Sequence, residues 1–105
     1  MWIFLEDAFL SIVDKDGDGT TLLVRARREG DLERAFPGAE VHETRDHDYR
    51  FRAQVDRETV ARALADRVRR VDYPNFKDTV RDPARHTAYM GVWEVMYRYQ
   101  QGRNR

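Results

Sequence analysis

Tyr49-Arg50-Phe51-Arg52-Ala53-Gln54-Val55, running straight into Asp56-Arg57-Glu58-Thr59-Val60, is the stretch that decides the fold class. Tyr49, Phe51, Ala53 and Val55 alternate with Arg50, Arg52 and Gln54, and a period of two predicts a strand with one buried face. At Asp56 the period changes. Val60, Leu64, Val68 and Val71 recur at helical spacing with Ala61 and Ala65 beside them, which predicts an amphipathic helix. Asp56 supplies its N-cap, and Arg62–Asp66 and Asp66–Arg70 are i,i+4 pairs on the opposite side. A strand feeding directly into a helix that must bury one stripe calls for helices packed on a sheet.

Upstream, Trp2 to Leu5, Phe9 to Val13 and Thr21 to Arg27 read as strands, the last two joined by the turn-forming run Asp14-Lys-Asp-Gly-Asp-Gly-Thr20. Asp31 is placed to cap a short helix over Leu32 to Phe36, which Pro37-Gly38 ends. Ala39 to Thr44 reads as a strand, and Arg45-Asp-His-Asp48 as a polar turn. Downstream, Tyr73-Pro74 breaks the helix, because a residue before proline is pushed out of the α region. Asn75 to Val80 has room for a turn or two of helix. Asp82-Pro83 then sets a cap and an N1 proline at the start of a last helix, Ala84 to Gln101. The expected fold is a single α+β domain spanning 1–105. It has an antiparallel-rich sheet with helices on one face, ferredoxin-like or a permuted variant, and an extra C-terminal helix.

Composition narrows the function classes. Lys plus Arg equals Asp plus Glu at 19 each, for a formal charge of zero. A neutral chain is a poor generic DNA binder. Residues 1–52 carry 8 basic and 12 acidic side chains and residues 53–105 carry 11 and 7, a polarity suited to oriented association unless folding mixes these charges in space. With no cysteine there is no disulfide, thiolate nucleophile or Cys-bearing zinc site, and a cytoplasmic setting fits. Met1 to Leu5 lacks the basic lead and cleavage site of a signal peptide, and no stretch is long enough to span a bilayer.

The motifs point away from catalysis. Asp14, Asp16, Asp18 and Gly19 match the start of a calcium-binding EF-hand loop, but Thr21 and Arg25 stand where an apolar residue and the closing glutamate belong. Glu40, His42, Glu43, Asp46, His47 and Asp48 crowd metal-ligating types into nine residues without a recognisable zinc spacing. His86 falls in the first turn of the last helix. The only serine, Ser11, lies inside a predicted strand, and no phosphate-binding or dinucleotide fingerprint is present. No metal, cofactor or catalytic residue is therefore expected, and the chain reads as a binding protein more than an enzyme.

Two surfaces are candidates for binding. Arg25, Arg27, Arg50 and Arg52 are expected to project from one sheet face, where phosphates would bind unless acidic neighbours or the last helix cover them. The aromatic residues of the 49–55 strand alternate inward, so base stacking is not indicated there. The last helix has one apolar stripe of Tyr89, Val92, Trp93 and Met96, widened by Tyr97, and a second of Ala88, Val95 and Tyr99. Trp93 is expected to be buried against the domain. Val95, Tyr97 and Tyr99 are candidates for a partner surface, unless both stripes close into one core.

Val71-Asp-Tyr-Pro-Asn-Phe-Lys-Asp78, Tyr89-x-x-Val-Trp-x-x-Met96 with Gln100, Leu23-Val-Arg-Ala-Arg27 and Asp31-Leu-Glu-Arg-Ala-Phe-Pro-Gly38 together resemble a set of small uncharacterised bacterial single-domain proteins. The resemblance covers most of the chain and implies no activity or cofactor. It marks Asn75 and Lys77, with Phe76 between them, as candidate contact residues. The leading expectation is a non-catalytic protein-binding module, a regulator or adaptor such as an inhibitor of a host complex, with a protein partner or a second copy. A nucleic-acid accessory protein using the arginines, and a small enzyme or ligand binder near Tyr73 to Lys77, are the alternatives.

Overall fold

The computed structural model describes residues 1–102, and the protein is α+β. Its chain forms two compact units, one of residues 1–72 and one beginning at Tyr73.

In the first unit, β1 (Trp2–Leu5), β2 (Ala8–Val13) and β3 (Thr21–Ala26) form an antiparallel meander. β5 (Phe51–Asp56) pairs antiparallel with β3, and the two-residue β4 (His42–Glu43) closes the far edge, for a strand order β1-β2-β3-β5-β4. The short helix α1 (Asp31–Ala35) and the longer α2 (Arg57–Arg69) pack on one face of this sheet. Alternation decides which face. Ala8, Leu10 and Ile12 of β2, Leu22, Val24 and Ala26 of β3, and Phe51, Ala53 and Val55 of β5 all point to the helices, where Leu32, Phe36 and Val60 meet them. Burying Leu10 or Leu32 fully contributes about 1.5–3 kcal/mol each.

The strand-to-helix reading at Asp56 holds, since its side chain accepts from the Glu58 N–H at 3.1 Å. The buried stripe of α2 is shifted from the expected one. Val60, Ala63 and Leu64 face the core, whereas Val68 is 72% exposed and Val71 lies on the surface. Arg67 occupies the position one turn beyond Leu64, and its guanidinium meets Glu6 Oε1 at 3.2 Å and Asp7 Oδ1 at 2.9 Å. An ionic clamp to the β1–β2 turn thus replaces an apolar contact at the end of the helix.

Two further expectations are corrected. The Ala39–Thr44 segment pairs only at His42 and Glu43, because Ala39 and Val41 turn their side chains to the core while their backbone leaves the ladder. Asp31 is not the cap of α1. Gly30, at φ 92°, holds that position, and Asp31 is 1% exposed. Its carboxylate accepts from the Phe9 N–H at 3.0 Å and from Arg34 at 2.6 Å, tying the helix to β2.

The second unit holds a 3-10 turn (Lys77–Thr79) and the helix α3 (Pro83–Gln100). Asp82 caps α3 by accepting from the Arg85 N–H at 2.9 Å, with proline in the first turn as expected. Phe76 stacks on Tyr89 with ring centroids 5.9 Å apart and meets Tyr73 at 6.2 Å, which fastens the turn to the start of the helix. Among the described residues, no helix is long and apolar enough to cross a membrane.

Candidate binding surfaces

The sheet face opposite α1 and α2 is built by the residues that alternate away from the core. Register places Trp2 opposite Ser11, Ser11 opposite Arg25, Arg25 opposite Arg52, and Arg52 opposite His42. These five residues form one row across all five strands. Phe9, two residues before Ser11 on the same face, meets Phe4 at 4.6 Å and the edge of Trp2 at 6.1 Å. Trp2 remains 66% exposed.

The centre of the row is cationic and held in place. Arg25 donates to Ser11 Oγ at 2.8 Å, and its guanidinium lies 4.5 Å from the centroid of the Tyr49 ring. Arg27 lies 4.1 Å from the same centroid and donates to the Asp48 carbonyl at 3.0 Å. Arg52 reaches the Tyr49 carbonyl at 3.5 Å. Among the described residues no carboxylate forms an ion pair with Arg25, Arg27 or Arg52. Arg25 Nε is buried without an acceptor among these residues, which leaves that cation under-compensated. Arg50 is engaged elsewhere, bonding at 3.0 Å to Glu43, whose register partner is the core residue Phe51. Tyr49 is buried, but β5 begins only at Phe51. Its ring therefore escapes the alternation and joins the arginines instead of the core.

The acidic hairpin loop satisfies itself. Asp14 accepts from the Gly17 N–H and pairs with Arg57 at 3.0 Å, while Asp18 accepts from the Thr20 and Thr21 N–H groups at 2.9 and 3.0 Å. The Thr21 N–H, followed by that of Thr20, holds the Asp18 carboxyl below its usual range. Gly17 and Gly19, at φ 69° and 80°, supply the left-handed backbone that folds these N–H groups inward. Along the 40–48 segment, Glu40 meets His42 at 3.8 Å and Glu43 meets Arg45 at 3.7 Å, all on the surface. No group of three metal-ligating side chains converges among the described residues.

A cleft of about 420 Å³ opens between the β1–β2 turn, α1 and α2, lined by Glu6, Asp7, Arg34, Asp66, Arg67 and Arg70. Its charges are mutually engaged, since Arg67 bonds to Glu6 and Asp7 and Arg34 donates to the Asp7 carbonyl at 2.9 Å. That pattern is a structural latch between the two helices and the turn.

In the second unit none of the eighteen residues of α3 is buried. Trp93, expected inside, is 61% exposed and stacks on Tyr97 at 5.5 Å with the rings nearly parallel. Val95 and Tyr99 are exposed with Val92 and Met96, so from Val92 onward both stripes face solvent, while Tyr89 is half-buried against Phe76. Asn75 and Lys77 do not join them. Asn75 accepts from the Lys77 N–H at 3.1 Å, which is turn chemistry. Tyr89, where Phe76 docks, is about 15 Å along the helix axis from Tyr99 by the rise of an α-helix.

The aromatics of the sheet face were missed by reasoning on one strand at a time. The signal was present: Phe9, Ser11 and Val13 alternate with Ala8, Leu10 and Ile12, and Trp2 with Ile3, in phase with Arg25. Only the register joins those phases into one surface. No family model matches the chain, and no curated protein or solved structure is significantly similar to it.

Proposed function

We propose that the chain is a non-catalytic protein-binding module, a small regulator or adaptor of the bacterial cytoplasm, that docks through α3 onto a second copy of itself. The observation that carries this reading is the concentration of apolar surface. Among the described residues, six of the ten large exposed hydrophobic residues, Val92, Trp93, Val95, Met96, Tyr97 and Tyr99, lie on this helix. Exposed apolar patches of this kind mark interaction sites in soluble proteins, and tryptophan, tyrosine and methionine are favoured there. A second copy fits because the stretch from Thr87 to Tyr97 carries a single charge, Glu94, which Arg98 neutralises at 3.2 Å. Two such helices can approach in an isologous pair without like-charge repulsion. Sedimentation velocity tests it. The parent protein should sediment as a concentration-dependent dimer and Tyr99→Ala as a monomer, whose melting temperature should match that of the parent diluted to its monomer. A parent that stays monomeric at millimolar concentration refutes self-docking.

A second reading has its own support in the first unit. Arg25, Arg27 and Arg52, which pair with no carboxylate among the described residues, suit the binding of phosphate groups on one sheet face. Filter binding of a radiolabelled polyanion to the parent and to Arg27→Gln/Arg52→Gln would test it, with loss of binding in the variant expected.

A further inference from the structure

Arg25 and Arg52 are direct cross-strand neighbours. Like charges placed opposite each other destabilise a sheet, and the usual remedy, an interleaved carboxylate, is absent among the described residues for these two and for Arg27. A fold that retains such an opposed pair, with the guanidiniums fixed by Ser11 Oγ, the Tyr49 ring and backbone carbonyls, is pre-organised to take an anion. Fixing the donors in advance lowers the ordering cost of binding.

The anion-binding centre does not stand alone. Along the same row, two strands away from Arg25, stands Trp2, with Phe9 against it. β1 is locked to β2 through the Ile12 N–H, which donates to the Met1 carbonyl at 2.8 Å, so the indole is presented from a paired strand and not from a loose end. From Trp2 to Arg52 the row crosses three strand spacings, about 14 Å, with Trp2 exposed at one end, Ser11 buried between, and Arg25 and Arg52 half-buried beyond it. An exposed aromatic beside fixed guanidiniums is the combination that binds single strands: the base lies on the ring and the backbone follows the cations. A duplex keeps its base faces stacked inside and offers nothing to Trp2.

We propose that this face is a platform for single-stranded nucleic acid, with Arg25, Arg27 and Arg52 contacting phosphates and Trp2, backed by Phe9, stacking a base. The proposal rests on the phosphate-binding reading of the arginines and adds the requirement for an unpaired base. It is independent of what covers α3.

The test is fluorescence anisotropy at low salt with three labelled probes: a ten-nucleotide oligo(U), a ten-nucleotide oligo(dT), and a DNA duplex with the same total number of phosphates. The parent protein should bind at least one single strand more tightly than the duplex, and the tighter of the two names the sugar. Its log affinity should fall with log salt at a slope of about −2, for three phosphate contacts at about 0.7 each. Trp2→Ala should weaken single-strand binding about tenfold, leave the slope unchanged, and be restored by Trp2→Phe. Trp2 is exposed, so the variant should fold, and a far-UV spectrum matching the parent would confirm it. Arg27→Gln with Arg52→Gln should flatten the slope by about 1.4. Equal binding of duplex and single strands, or an affinity indifferent to Trp2→Ala, overturns the stacking platform while leaving phosphate binding standing. Failure of the parent to bind any probe at low salt overturns both.

Discussion

Asp31 shows how much one side chain can decide. It is a carboxylate in the first turn of a five-residue helix, where sequence reasoning assigns it a local capping bond. In the folded chain it is buried and bonds across 22 residues to the Phe9 N–H, with Arg34 compensating its charge. Asp31→Ala would leave a strand N–H without its acceptor and Arg34 without its partner. It should cost about 3 kcal/mol in urea unfolding; a loss under about 1 kcal/mol, within reach of an ordinary cap, would contradict the long-range role. Asp18 makes a pH prediction. Its pKa is held below the ordinary 3.8 by the N–H groups of Thr21 and Thr20, so the unfolded chain takes up the proton first. Its stabilising contribution is present above the ordinary value and is lost as pH falls through the lowered one. The stability gap between the parent and Asp18→Asn should hold steady at neutral pH and shrink in acid below that value. A gap that persists at the lowest pH at which the protein folds would show that the charge is not what orders the loop.

Among the elements, α2 and α3 divide what periodicity can and cannot reveal. The existence, cap and start of α2 were readable from Asp56 and the change of period, yet its buried face ends in Arg67, not Val68. Hydrophobicity ranked valine for the core, but the β1–β2 turn offers two carboxylates there, and an arginine with a long apolar stem satisfies both packing and charge. Arg67→Met should therefore destabilise the fold by about 1–3 kcal/mol in urea unfolding despite being more apolar, since Glu6 and Asp7 lose their partner; Val68→Thr should be nearly neutral. The capping and length of α3 were equally legible. Its surroundings were not: a helix with apolar residues around much of its circumference reads the same whether its faces are buried or bare. Because Trp93 is exposed, Trp93→Ala should move the thermal midpoint of the monomer very little, against the about 3–5 kcal/mol loss that a buried tryptophan would produce. Scanning calorimetry distinguishes the two outcomes.

At the level of the whole molecule, every member of the buried core cluster lies between Ala8 and Val60. Residues 1–72 thus contain a complete sheet with both covering helices, and a chain ending at Asp72 should unfold cooperatively on its own. A broad, non-cooperative transition for that fragment would show that its stability depends on the second unit. What the sequence determined unaided was local: the strand periods, the two helix starts at Asp56 and Asp82, the turn at Asp14–Thr20, and the α+β class that follows from their order. Each rests on side chains within a few residues of one another, whose spacing sets which way they point. Only the tertiary structure decided which surfaces those directions compose. The sheet register sets Trp2, Arg25 and Arg52 in one row, the backbone turn before Phe51 carries Tyr49 to the arginines, and Glu43 draws Arg50 away. Pairing between distant strands fixes all of this. A shift of one residue in that pairing would reverse every side chain while leaving the local pattern unchanged.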